Sequence, residues 1–175
     1  MNARLIDREL IAARQDRLRH ALLGAPFDTV LALSGPNFDY ATGYRSVSAT
    51  VHGISPLAAL VRSDALLVVG PVSDSAPGFD AGLVEGDFLA YGRFFFESQD
   101  GAAEATRLVE QNADYAAGIA AAVQRLGLAS ARIGLDERAC PAELRAQLAE
   151  LLPGVEFVPA SDWLAGVRSI KLPGE

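Results

Sequence analysis

Phe27-Asp28-Thr29-Val30-Leu31-Ala32-Leu33 reads as a strand, and Ser34-Gly35-Pro36-Asn37 turns the chain directly after it. The strand is almost continuously apolar, the pattern of a strand covered on both faces in an α/β sheet. Before it, Leu10, Arg14, Leu18 and Leu22 recur at helical spacing, with Arg8, Arg17 and Arg19 on other faces. They describe an amphipathic helix that runs to about Leu23 and ends at Gly24 and Pro26. After the strand, Asn37 is placed to cap a short helix before Gly43.

The same alternation continues. Leu57 to Arg62 and Ala65 to Val69 make a hairpin across Ser63-Asp64. Pro77-Gly78-Phe79-Asp80 reads as loop, and Phe88 to Tyr91 as a short strand. Tyr115, Ile119, Val123 and Leu126 form a helical stripe closed by Gly127, and Arg132 to Asp136 is a further strand. Pro141 opens a helix with Leu144, Leu148 and Leu151 on one face. Val155 to Val158 is the last strand, and Ser161-Asp162-Trp163-Leu164 starts a final helical turn. Helices and strands mixed in this way argue α/β layers around one mixed sheet. Val167-Arg168-Ser169-Ile170-Lys171-Leu172-Pro173-Gly174-Glu175 reads as the start of a connection. The expectation is a domain over residues 1–166, a linker beginning at 167–175, and a larger protein beyond.

Composition excludes several classes. A net charge of −7 disfavours nucleic acid, because phosphate binding relies on clustered Lys and Arg. No apolar run approaches the roughly 20 residues of a membrane helix, and the charged N-terminus lacks a signal-peptide core. The single cysteine, Cys140, fits a reducing compartment, so the expected location is cytoplasmic. With only His20 and His52, and no H-E-x-x-H or C-x-x-C, a metal site within the chain is not expected. Asp136 and Glu137 form the best acidic pair, and they read as a solvated loop acid and a turn-former. Ser34, His52 and an acid could supply a hydrolytic triad, but the G-x-S-x-G frame is missing around Ser34. No G-x-G-x-x-G follows the first strand, and Pro36 removes an N–H that a phosphate cradle would need.

Two segments retain functional interest. Tyr40-Ala41-Thr42-Gly43-Tyr44-Arg45-Ser46, with His52, gathers aromatic, guanidinium and imidazole groups in a loop after a buried strand. The competing reading has Tyr40 and Tyr44 covering the sheet edge and Arg45 in solvent. Tyr91-Gly92-Arg93-Phe94-Phe95-Phe96 places three phenylalanines in a row, which cannot all point inward. An exposed aromatic beside an Arg suits an interface anchor, and a loop folded over its own core suits the sequence equally.

Taken in order, Arg14 to Leu23, Phe27 to Leu33, Asn37, Tyr40, Thr42-Gly43-Tyr44, the Leu57 to Pro71 hairpin and Arg168-Ser169-Ile170-Lys171 with Glu175 form a recognisable series. It resembles the amino-terminal domain of the creatinase/prolidase/aminopeptidase P family, and most of all that of Xaa-Pro dipeptidases. Leu172-Pro173-Gly174 departs from the family pattern, which leaves the start of the next domain open.

The resemblance implies a three-layer α/β domain with a mixed sheet of about six strands. It implies a noncatalytic role in dimerisation and substrate gating beside the protein's own C-terminal catalytic domain. That domain would hold two divalent ions, manganese or cobalt, through two Asp, one His and two Glu, none of them within residues 1–175. Tyr44, Arg45, His52, Tyr91, Arg93 and Phe94 are the candidates for reaching that pocket or an interface. A creatinase-like enzyme acting on non-peptide C–N bonds shares the same amino-terminal fold. A stand-alone module binding a small ligand or partner is the alternative of a different class.

Overall fold

A computed structural model of the chain describes residues 8–44, 46, 56–84, 86–92 and 110–174. The element built on the opening stretch is β1 (Thr29–Ala32), with all four residues buried. It is preceded by α1 (Arg8–Leu22) and followed by α2 (Gly35–Thr42). The hairpin is β2 (Ala58–Arg62) and β3 (Ala65–Pro71), joined at Ser63-Asp64 as expected. Then come a 3-10 turn at Val72–Asp74, α3 (Ala76–Asp80), β4 (Phe88–Tyr91) and β5 (Glu110–Asn112). The chain continues through α4 (Tyr115–Arg125), β6 (Arg132–Leu135), a second 3-10 turn at Glu137–Ala139 and α5 (Ala142–Leu151). It closes with β7 (Glu156–Pro159) and α6 (Ser161–Ser169).

The strands form one sheet in the order β5-β4-β3-β2-β1-β6-β7. β2 is antiparallel to both neighbours, Ala32 facing Ala59 and Ala58 facing Val69. Every other pairing is parallel. All strands except β2 therefore end at the same rim of the sheet, and β2 begins there.

Side chains alternate across the pleat and bury two cores. Val30, Ala32, Ala59, Val61, Val68 and Phe88 face α1, α2 and α6, with Leu18, Leu22 and Leu164 packed on them. Leu31, Leu60, Leu67, Val69 and Leu89 face the opposite way, toward Ile119 and Val123 of α4 and Leu144 and Leu148 of α5. This is the three-layer α/β arrangement expected.

Differences from the sequence reading have local causes. The sheet has seven strands because Glu110-Gln111-Asn112, a polar triplet without apolar alternation, pairs with β4 at the edge. Pro77-Gly78-Phe79-Asp80 is helical, since Phe79 packs on the core. α6 runs through Val167-Arg168-Ser169, so the first three residues of the stretch read as linker are helical. Leu151 is 46% exposed, leaving Leu144 and Leu148 to anchor α5. Asn37 lies inside α2 and not at its cap, which is Ser34.

Gly43 and Gly134 are among the positions where geometry calls for glycine. Gly43 ends α2 at φ 64, and a Cβ there would run into the Ile11 side chain. Gly134 lies under the Phe27 ring, which a Cβ would approach to 2.7 Å.

Candidate functional site

The shared rim carries two polar clusters. The first is built around Tyr44, the second residue beyond α2. Its ring is 1% exposed and meets Phe38 and Phe88 edge-on, with centroids 5.5 and 6.3 Å apart. The hydroxyl donates to the backbone carbonyl of Asp74, in the turn that follows β3. Asp74 is itself buried, and its carboxylate accepts a hydrogen bond from the Ser46 hydroxyl. One strand further out, Tyr91 closes β4 and donates to the Pro56 carbonyl at 2.9 Å. Tyr115, at the start of α4, donates to the Leu57 carbonyl at 2.8 Å and packs against Tyr91 with the rings tilted and their centroids 5.5 Å apart. The two tyrosines thus clamp the residues that lead into β2.

These phenols are donors held in the neutral form. Burial, and then the charge of Asp74, pushes Tyr91 up to about 12. Tyr44 is raised further, by burial first and Asp74 second, and burial raises Tyr115 as well. None of the three is poised to take a proton at neutral pH. They position backbone.

The second cluster occupies the rim where β1, β6 and β7 end side by side. At such a place α/β sheets usually take ligands, against helix N-termini. Here the chain's own carboxylates fill it. Asp136, 2% exposed, accepts from the N–H groups of Leu33 and Ser34 at 3.3 and 2.9 Å, from Asn37 Nδ2 at 2.7 Å and from the Ser161 hydroxyl at 2.8 Å. Glu137 Oε2 accepts the N–H groups of Ala160 and Ser161 at 3.0 and 2.9 Å. Burial acts to raise the Asp136 carboxyl, but the bonds from Asn37, Ser34 and Ser161 outweigh it and hold the group below its ordinary value. Glu137 is likewise held low: burial opposes it, and the Ser161 and Ala160 donors prevail. Negative charge at the start of α2 and α6 also suits their dipoles.

Asp136 is therefore not the solvated loop acid that the sequence implied. Its lone pairs are engaged by four N–H and O–H donors, so the Asp136–Glu137 pair does not fit a metal centre. Among the described residues no three His, Cys, Asp or Glu side chains stand together in a way that could hold an ion. Ser34 uses its N–H to hold Asp136, in place of forming a nucleophile elbow.

Of the sequence candidates, the structure brings Tyr44 and Tyr91 to one rim, Tyr44 on Asp74 and Tyr91 on Pro56. Arg45, His52, Arg93 and Phe94 lie outside the described residues. Asp74 and Tyr115 were missed, because nothing in Val72-Ser73-Asp74 or Asp114-Tyr115 signals a partner dozens of residues away.

The sequence model of the Creatinase/Prolidase N-terminal domain matches residues 14–170. The chain belongs to this family. Solved structures with the same fold include the N-terminal domain of the cytoplasmic peptidase PepQ from Mycobacterium tuberculosis H37Rv. It is 19% identical with a TM-score of 0.52, and the match covers 89% of this chain and 98% of that one. Dipeptidase PepE from Mycobacterium ulcerans is 19% identical with a TM-score of 0.62, covering 97% of this chain and 39% of that one. The Xaa-Pro dipeptidase from Bacillus anthracis is 16% identical with a TM-score of 0.59, covering 94% and 38% respectively. At these identities the likeness establishes the fold. No curated protein matched in sequence. Among the described residues no helix is long and apolar enough to cross a membrane.

Proposed function

We propose that this chain is the noncatalytic amino-terminal domain of a Xaa-Pro dipeptidase-like metallohydrolase, serving dimerisation and substrate gating. The observation that carries the reading is the family match over residues 14–170, in a fold whose strands other than β2 all end at one rim. Tyr44, Tyr91 and Tyr115 brace that rim through the carbonyls of Asp74, Pro56 and Leu57, which suits a firm wall beside another domain's pocket. The acids that could have done chemistry, Asp136 and Glu137, are committed to helix caps, which agrees with a domain that leaves chemistry to another. Two divalent ions, manganese or cobalt, would be held by that following domain and would polarise the scissile carbonyl there.

Three measurements test this. The chain supplied with manganese and a Xaa-Pro dipeptide should show no turnover, and turnover would overturn the noncatalytic role. The reading frame beyond the Glu175 codon should encode two Asp, one His and two Glu at dispersed positions. A stop codon directly after it would favour a stand-alone module. Light scattering should return twice the chain mass, and a strict monomer would remove dimerisation from this domain's own functions.

A further inference from the structure

We draw no further inference here: the strongest candidate, the apolar groove between α1 and the carboxyl end of α6 where Ala21, Val167 and Ile170 lie beside Arg17 and His20, carries nothing because nothing in the structure shows what covers it.

Discussion

The Asn37 side chain donates to the Asp136 carboxylate at 2.7 Å, joining positions 99 residues apart in the chain. The same carboxylate holds the Ser161 hydroxyl, so one buried group ties the start of α2 to the start of α6. Removing it strands four donors at once. Asp136→Ala should therefore lower stability by about 3 kcal/mol, as loss of a buried network does. Urea denaturation checks this. Trp163, the only tryptophan, sits on α6 with its ring 5.2 Å from Phe27, so its fluorescence reports the docking of that helix.

Acid should act through the same group. The folded-state values of Asp136 and Glu137 lie below their ordinary 3.8 and 4.5. A depressed carboxyl contributes stability above its unfolded value and loses it as pH falls through the folded one. The urea midpoint should stay level near neutrality and decline below about pH 4. In Asp136→Asn that decline should be shallower, and an unchanged acid slope would show that other groups govern it.

Alkali should act through the tyrosines. Tyr91 is raised to about 12, so its absorbance step should appear near that pH and vanish in Tyr91→Phe. The sign is opposite to the carboxyl case. A raised phenol contributes stability fully below its unfolded value of about 10 and loses it as pH climbs above that. Tyr44 and Tyr115 should ionise only as the domain unfolds.

Gly43→Ala should cost about 2 kcal/mol or more, combining a left-handed backbone with a collision against Ile11. Pairing it with Ile11→Ala relieves the collision alone. The double variant should therefore be less damaged than the sum of the two single changes. Simple additivity in thermal denaturation would count against the contact.

The layered fold was legible because burial leaves a periodic trace. Phe27 to Leu33, the Leu57 to Val69 hairpin and the Tyr115 stripe each carry an apolar rhythm that sheet and helix alike demand. β5 was not legible, since Glu110-Gln111-Asn112 carries no apolar alternation and takes its place by pairing along the edge of β4. The rim clusters were half legible. Asp136 and Glu137 stood out as a pair after a strand, yet their burial depends on Leu33, Asn37 and Ser161, whose proximity only the sheet order creates. Tyr44 and Tyr91 stood out as aromatics in loops. The partners they find, Asp74 for Tyr44 and Pro56 for Tyr91, have no local signature.

β7 forms an outer margin of the sheet among the described residues. Pro159 has no N–H to offer a neighbouring strand, and Arg132 and Glu156 pair at 3.0 Å at the other end of the β6–β7 ladder. Such a margin resists extension by another strand. Copies of this chain cannot readily merge into one continuous sheet at this side. The protein is guarded there against the open-ended stacking by which exposed strands aggregate.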